Sequence, residues 1–220
     1  MAQGDLNPTS YLILGLLAPR DWSAYEIAAQ VGRALSDIWP RAERQRYNAP
    51  KRLLERGLVT ARTEATGRRE RTVYSITPAG RRALAEWLAA ESRPSALEFE
   101  GMLRVILANQ GTIEDLRSNL ETMRDQALEK RAVFVHFAET LLNEDGGTFP
   151  EREHVLVLAN RFMLDHFGHI AEWADWALEQ SASWPDTTTP AVTHRSQSRA
   201  ILEESIARAL ADDAARDDGT

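Results

Sequence analysis

The hydrophobic positions of the first ninety residues predict a small domain of helices with one hairpin. Apolar residues recur at helical spacing in four segments, which begin near Ser10, Ser23, Trp39-Pro40 and Thr77-Pro78. Between the third and fourth segments, two runs rich in β-branched and aromatic residues, 58–63 and 71–76, flank a glycine turn. Three helices followed by a short hairpin are the layout of a winged helix-turn-helix.

Residues with capping preferences support these boundaries. Ser23 stands three residues before Glu26, which is the spacing of a capping box. Pro40 and Pro78 lie where a first-turn proline loses no hydrogen bond, and Gly57 is a C-terminal cap for the third helix. On the second helix, the stripe expected to be buried is Tyr25, Ile27, Ala28, Val31 and Leu35.

The residues after position 95 predict a chain of helices. One covers roughly residues 97–107, a second runs from Thr112 to about Asn143, and a third from about Glu151 to Gln180. Apolar residues of the second helix alternate steps of three and four, which is typical of a helix that packs against a partner helix. The side chains we expect to contact a second protomer are Leu116, Leu120, Met123, Phe134, Phe137, Phe162 and Ile170.

The predicted fold class is therefore mostly α, with an N-terminal winged helix-turn-helix and a C-terminal antiparallel helical dimerisation domain. Residues 1–91 form the expected DNA-binding domain, with its small two-stranded β wing. Residues 95–180 form the helical dimerisation domain, which also has the capacity to hold an effector. Residues 181–220 are expected to be a linker and an acidic tail with some helix.

The charge of the chain is divided unevenly between its two halves. The net charge is −7, yet residues 1–90 carry 14 Lys+Arg and 9 Asp+Glu, whereas residues 91–220 carry 12 and 24. A basic N-terminal half suits a phosphate backbone, and an acidic half is repelled from it. The distribution favours nucleic acid as a partner of the first domain, although halves of opposite sign also occur in ordinary proteins.

Composition and the N-terminus exclude several other classes of protein. The chain has no cysteine, which excludes disulfides, thiolate zinc sites and cysteine nucleophiles. The N-terminus lacks the basic start and apolar run of a signal peptide, and the longest apolar runs are too short to cross a bilayer. We therefore expect a cytoplasmic protein with no membrane partner.

The predicted third helix and the hairpin tip carry the side chains expected to contact DNA. Gln45 and Asn48 have the amide geometry that reads an adenine edge, and Arg44 suits guanine. Later residues of the helix are better placed for phosphates. For any one residue the alternative is a solvated charged face, and Arg71 alternatively anchors its strand. The predicted DNA-binding set is Arg41, Arg44, Gln45, Tyr47, Asn48, Lys51, Arg52, Arg68, Arg69 and Arg71.

An ordered series of short motifs runs through the first domain. It consists of Leu14-Gly-Leu-Leu17, Tyr25-Glu-Ile27, Tyr47 before Lys51-Arg52-Leu53, Gly57-Leu-Val59, Arg71, Tyr74 and Thr77-Pro-Ala-Gly80. In this order and spacing the chain resembles the PadR family of bacterial transcriptional regulators. The resemblance implies a homodimer that binds a palindromic operator in double-stranded DNA, with repression relieved by a small ligand. Pro50 stands where the family usually has leucine, and we expect it to kink the third helix.

The aromatic side chains of the two long helices have two interpretations. A helical stripe of aromatics is typical of a core or a dimer interface. Alternatively, some of them line a pocket for a small hydrophobic or aromatic effector, with a few polar groups for orientation. The candidate pocket residues are Phe134, Phe162, His166, Trp173 and Trp176.

The histidines provide the main argument for an enzyme. A metal site in a helical bundle needs two Glu-x-x-His pairs with further glutamates, and only Glu151 and His154 have that spacing. The sequence contains no phosphate-binding glycine loop, nucleotide fingerprint or Ser/His/Asp order. We therefore predict a regulator without enzymatic activity, metal or other cofactor. A winged-helix module for protein–protein interaction and a metal-binding bundle enzyme remain the alternatives.

Overall fold

The computed structural model describes residues 6–34, 37–39, 47–66, 69–142 and 149–217. The chain divides into two compact units, Met1–Ser95 and Ala96–Thr220. No helix within the described ranges is long and apolar enough to span a membrane.

The N-terminal unit is a winged helix with a three-stranded sheet. Its elements, in order, are α1 (Pro8–Leu17), β1 (Trp22–Ser23), α2 (Ala24–Ala34), α3 (Ala49–Glu55), β2 (Val59–Thr66), β3 (Arg69–Ile76) and α4 (Pro78–Ala89). The strand order is β1-β3-β2, and both pairs are antiparallel. The hairpin is in register from Val59 opposite Ile76 to Thr66 opposite Arg69. The predicted fold class is confirmed for this unit.

Helix α1 forms the centre of the N-terminal core. It is apolar around most of its circumference, and it contacts α2, α3, α4 and β3. Its side chains Ile13 and Leu14 have no exposed surface, and Leu17 has almost none. Burial of each such side chain contributes about 1.5–3 kcal/mol, so this helix supplies a large part of the unit's stability.

The third helix is shorter than its hydrophobic pattern predicts. Tyr47 and Asn48 form a turn, and α3 begins at Ala49, so the prediction of one helix from Trp39-Pro40 to Gly57 is wrong. Pro50 lies in the first turn of α3, where its missing N–H has no helical acceptor to lose. Proline therefore starts this helix, and the predicted kink does not occur. Residues 40–46 lie outside the described part of the chain.

The start of α2 combines a confirmed prediction with an error. Ser23 and Glu26 form the predicted capping box, in which each backbone N–H donates to the other side chain, at 2.7 and 3.3 Å. The sequence does not predict that Trp22 and Ser23 also form a strand beside β3. Tyr25 is 79% exposed, which contradicts its expected burial, whereas Ile27, Ala28 and Val31 are buried. Leu35 is outside the described ranges.

Two glycines, Gly57 after α3 and Gly80 in the first turn of α4, lie where α3, β2 and α4 meet. Gly57 adopts φ +67°, and the N–H groups of Gly57 and Leu58 donate to the carbonyls of Leu54 and Leu53 at 2.9 and 3.0 Å. This is the Schellman arrangement that satisfies the last carbonyls of a helix. The Thr77 hydroxyl donates to the Gly57 carbonyl at 2.9 Å and accepts from the Gly80 N–H, which caps α4.

The regular secondary structure of the C-terminal unit is all helical in the parts that the structure describes. It contains α5 (Glu100–Ile106), α6 (Ile113–Leu141), α7 (Glu153–Ser181), α8 (Pro190–Thr193) and α9 (Arg195–Asp217). Thr112 and Asp115 form a capping box at the start of α6, and Thr112 lowers the pKa of the Asp115 carboxyl by hydrogen bonding to it.

Helices α6 and α7 pack along most of their length as an antiparallel hairpin. Arg117 near the start of α6 donates to the carbonyl of Ser181 at the end of α7, at 2.8 Å. Further along, Arg124 lies 3.5 Å from Asp175. The antiparallel helical architecture predicted for this half is therefore confirmed. Its buried cluster comprises Ile113, Leu116, Leu120, Met123 and Ala174.

We expect Gly80→Ala to destabilise the N-terminal unit. A Cβ atom at this position would collide with the Leu58 backbone carbonyl and with the Ile76 side chain. Overpacking of this kind costs about 1–3 kcal/mol. Thermal unfolding followed by circular dichroism should show a lower midpoint for this variant.

The matched control for that experiment is Gly15→Ala. Gly15 lies inside α1, and a Cβ there would meet no atom within 4 Å. Replacing a helical glycine by alanine in open space stabilises by about 0.5–1 kcal/mol. An unfolding midpoint for Gly80→Ala that equals or exceeds that of Gly15→Ala would contradict the close approach at Leu58.

Candidate nucleic-acid interface

The start of α3 and the two residues before it present four polar side chains of the predicted DNA-binding set to solvent. These are Tyr47, Asn48, Lys51 and Arg52, and Tyr47 is 58% exposed. The opposite side of α3 is buried through Ala49, Pro50 and Leu53. The buried residues hold the helix against α1, so the polar side chains extend from a fixed backbone.

Asn48 has a special position within this group. It precedes α3 at the N-cap, yet its described side chain does not cap the helix. Capping is the usual role of asparagine at that position. Its amide therefore keeps both a donor and an acceptor for an external partner, which is the pattern that pairs with an adenine edge.

The wing carries a network of arginines and carboxylates on one face of the hairpin. Arg62 contacts Asp21 at 2.6 Å and Glu64 at 2.9 Å, and Arg71 contacts Glu64 at 2.8 Å. Glu64 and Arg71 are opposite each other in the β2–β3 register, and Arg62 shares their face because strand side chains alternate. The network ties the turn before β1 to both wing strands.

The arginines of the network keep its acids ionised. Hydrogen bonds from Arg71 and then Arg62 lower the pKa of Glu64, and Arg62 is the largest cause of the lowered pKa of Asp21. These groups are solvent-exposed, so the pairs add little to stability. Their effect is geometric, because Arg71 is held across the strands by Glu64. Its contact with DNA stays a prediction.

The rest of the predicted DNA-binding set is outside the described structure. This applies to Arg41, Arg44, Gln45 and Arg68. Arg69 begins β3 opposite Thr66, but its side chain is not among those described. Their roles stay predictions.

In the C-terminal unit, aromatic rings form a ladder on one stretch of the α6–α7 hairpin. Phe134 of α6 stacks on Phe167 of α7 with ring centres 5.8 Å apart. His166 contacts Phe167 edge-on at 5.3 Å and stacks on Phe162 at 5.9 Å. The aromatic stripe therefore serves partly as packing between the two helices.

An apolar cavity of about 200 Å³ lies beside this ladder, between α7 and the chain that enters α5. Two of the five predicted pocket residues, His166 and Trp173, line it. Phe134, Phe162 and Trp176 are not part of its lining. The other lining residues, which sequence reasoning did not place there, are Leu97, Phe99, Met102, His169 and Ile170.

A sequence signal existed for only one of these additional residues. His169 follows His166 by three positions, so the two imidazoles share one side of α7. Leu97 and Phe99 precede α5 and are brought to α7 by tertiary packing, which no local pattern encodes. Among the described residues, no group of three histidine, aspartate or glutamate side chains is arranged to hold a metal ion.

The predicted dimer contacts occupy two different environments. Leu116, Leu120 and Met123 are buried in the core of the single chain. Phe137 and Phe162 are 37% and 64% exposed, and Phe134 and Ile170 are half-buried. The heptad pattern of α6 thus contributes to packing within the chain. Contact of any of the seven with a second protomer stays a prediction.

Comparison with known proteins relates the N-terminal unit to a family of regulators. Residues 13–86 match the family model described as "Transcriptional regulator PadR-like family". The "Negative transcriptional regulator PadR" of Bacillus subtilis (strain 168) is 32% identical over 96 residues, which are 43% of this chain and 53% of that protein. The matching segment therefore spans about half the length of this relative.

Solved structures extend the similarity in fold. The crystal structure of Bacillus subtilis PadR in complex with operator DNA has a TM-score of 0.67 and 23% identity, covering 79% of this chain and 99% of that one. The structure of the same protein in complex with p-coumaric acid has a TM-score of 0.61 and 23% identity, covering 78% and 96%. At this identity, the likeness shows that the fold is shared.

We expect Glu64→Gln to strengthen binding to a duplex of mixed sequence. The substitution removes the carboxylate that holds Arg71, which leaves this guanidinium group available for phosphate oxygens, while Arg62 keeps its contact with Asp21. Because exposed ion pairs are worth about 0.2–1 kcal/mol, affinity should rise by about twofold to fivefold in fluorescence anisotropy.

Glu86→Gln on α4 is the matched control, since Glu86 is also exposed and its replacement changes the net charge equally. An equal gain in affinity from both substitutions would show that the change in net charge causes the gain, and that the release of Arg71 does not.

Proposed function

We propose that the chain is a transcriptional regulator of the PadR-like family, whose model its residues 13–86 match, and that it binds operator DNA as a homodimer and represses transcription. The observation that carries this proposal is the start of α3 with the two residues before it, where Tyr47, Asn48, Lys51 and Arg52 are exposed and Ala49, Pro50 and Leu53 are buried. The basic charge of the N-terminal half supports it, because neutralised phosphates supply much of the affinity for DNA.

The four exposed side chains divide into two roles. The amide of Asn48 suits a base edge in the major groove, where each good pair of hydrogen bonds is worth about 1–3 kcal/mol. Tyr47, Lys51 and Arg52 suit phosphate oxygens, which set the register of the helix on the duplex. The wing, through Arg71 and the arginines of its tip, would lie along the backbone beside them.

A second copy would supply the other half of a palindromic operator. Exposed apolar side chains follow one side of α7, with Val155, Leu158 and Phe162 being 47%, 71% and 64% exposed. Exposed apolar stripes of this kind mark interaction surfaces. An isologous contact through the α6–α7 hairpin would place two winged units on successive major grooves.

The Bacillus subtilis relative suggests the sign and site of action. The curated relative is named a negative regulator, and the Bacillus subtilis PadR structure contains operator DNA. Repression at an operator is therefore our proposal for this chain, and the cytoplasm, where bacterial DNA lies, is its proposed location.

The test is a gel shift on the DNA immediately upstream of the protein's own gene, with Asn48→Ala and Lys51→Ala as variants. Loss of the Asn48 contact should weaken binding by about tenfold and relax the sequence preference. Loss of a Lys51–phosphate contact should weaken binding to all sequences and reduce the salt slope by about one.

Arg161→Ala in α7 is the control, because it removes an exposed arginine from the other unit. Unchanged binding by both α3 variants would refute the assignment of this segment to DNA. Binding to a protein partner that is insensitive to salt would instead favour the interaction-module alternative.

The cavity in the C-terminal unit favours a small aromatic acid as effector. Its walls are apolar, with Trp173 available for stacking, and the His166 and His169 imidazoles supply donors for a carboxylate or a phenol. The volume of about 200 Å³ suits a single substituted ring. A related protein, Bacillus subtilis PadR, has been solved in complex with p-coumaric acid, which has this chemistry.

Isothermal titration with p-coumaric acid tests this assignment. The unaltered protein should give a saturable isotherm, and His166→Ala should weaken it by about tenfold, because a lost hydrogen bond to a charged group costs about 1.5–3 kcal/mol. His154→Ala is the matched control, since His154 is an exposed histidine of the same helix outside the cavity. Equal losses from both variants, or no saturable heat, would contradict the effector site.

A further inference from the structure

The last helix of the chain has an exposed apolar stripe. Leu202, Ile206 and Leu210 of α9 are 63%, 59% and 64% exposed. They are spaced by four residues, so they lie on one side of the helix. Three large aliphatic side chains in such a row indicate a surface that another helix covers.

The start of α9 is fixed to the rest of its unit. Gln197 donates to the Gln180 side chain of α7 at 3.0 Å, and the rings of Trp184 and His194 meet at 6.5 Å. The preceding turn is held by Asp186, which accepts from the backbone N–H groups of Thr188 and Thr189. The stripe of α9 is therefore presented from a defined position.

The residues of the stripe are placed at equal distances on either side of Ile206, with like apolar residues and oppositely charged residues in matching positions. Arg199 stands seven residues before Ile206, and Asp213 seven residues after it, so both continue the stripe at its ends. Reversing the direction of the helix about Ile206 exchanges Leu202 with Leu210 and Arg199 with Asp213. A surface that is complementary to its own reversed copy is suited to an isologous contact.

We propose that α9 pairs in antiparallel orientation with α9 of a second copy of this chain, centred on Ile206. In this pair Leu202 packs on Leu210 of the second copy, and Arg199 faces Asp213 of that copy. Asp213 already lies 3.5 Å from Arg216 of its own helix, so the incoming Arg199 joins an existing ion pair. A parallel pair would instead set Arg199 against Arg199 and Asp213 against Asp213.

The charge of α9 favours this occupant over an anionic membrane. Its 23 residues include four arginines and five carboxylates. Helices that lie on anionic lipid carry more basic than acidic residues, mostly on their polar face. In α9 the acidic residues outnumber the basic ones. The pairing is separate from the proposed contact through α7, because it uses different residues.

Disulfide cross-linking tests the register, and the absence of native cysteine makes each introduced thiol unique. Ile206→Cys should form a disulfide-linked dimer under mild oxidation, because the two copies of this residue meet at the two-fold axis. In Leu202→Cys the two thiols would be about 12 Å apart along the axis, beyond the reach of a disulfide. Leu210→Cys should fail to cross-link for the same reason.

Glu204→Cys is the matched control for exposure, since Glu204 lies about 200° around the helix from Ile206. We expect the Ile206→Cys dimer to form about tenfold faster than a Glu204→Cys dimer, because pairing raises the local thiol concentration. The products are read on a non-reducing gel as a band at twice the chain mass of 24.7 kDa.

A charge exchange in the Ile206→Cys background tests the orientation independently. Arg199→Asp alone should slow cross-linking severalfold, and adding Asp213→Arg should restore the rate. All of these positions are exposed, so circular dichroism should show unchanged helix content in every variant.

Three results would overturn the proposal. Equal cross-linking at residues 202, 206 and 210 would indicate a parallel or non-specific contact. If Asp213→Arg does not restore the cross-linking rate, Arg199 does not face Asp213 of the second copy and the antiparallel register is wrong. A chain that is dimeric by light scattering but shows no Ile206→Cys cross-link would leave the α9 stripe to a different partner while the dimer of the proposed function stands.

Discussion

The contact between the Gly57–Leu58 backbone and the start of α4 determines the geometry of the N-terminal unit. Gly57 reverses the chain at the end of α3, and Thr77 binds the Gly57 carbonyl while it caps α4. Gly80 allows α4 to approach the Leu58 carbonyl closely, because any side chain there would collide with it. One small region therefore fixes the end of the proposed recognition helix, the start of the wing and the helix behind them.

This junction explains why the exposed face of α3 has a fixed orientation. Leu53 is fully buried, and its carbonyl accepts the hydrogen bond that closes the helix. Tyr47, Asn48, Lys51 and Arg52 therefore project from a backbone that buried Ala49, Pro50 and Leu53 hold in place. Rigid placement matters for reading a base edge, since the hydrogen bonds involved are strongly directional. On the wing, by contrast, Glu64 competes with any external anion for Arg62 and Arg71.

In the C-terminal unit, apolar side chains pack between the helices of the chain and also form exposed surfaces. Helix α7 covers the buried side of α6. Arg117 closes the hairpin by donating to the carbonyls of Ser181, Ala182 and Trp184. Apolar side chains on α7 and α9 remain exposed after this packing is complete. The two proposed contacts with a second copy use these remaining surfaces, and the proposed effector cavity lies between α7 and the chain before α5.

The sequence by itself determined the elements whose signals are local. Capping at Ser23, Thr77 and Thr112 and the glycine at position 57 marked helix ends correctly, because each acts on backbone groups within a few residues. The alternation of the wing strands and the antiparallel hairpin of long helices were also predicted. The exposure of Lys51 and Arg52 opposite Ala49 and Leu53 followed from helical periodicity alone.

Only the tertiary structure decided the features that depend on residues distant in sequence. A two-residue strand at Trp22 has no periodicity of its own and exists because β3 supplies its partner. Pro50 was compatible with a kink or with a helix start, and the turn at Tyr47 and Asn48 selected the latter. The heptad pattern of α6 is the same whether its partner is another chain or α7, so burial of Leu116 and Leu120 had to come from the fold. Local patterns specify which face of an element is apolar, and long-range packing determines what covers it.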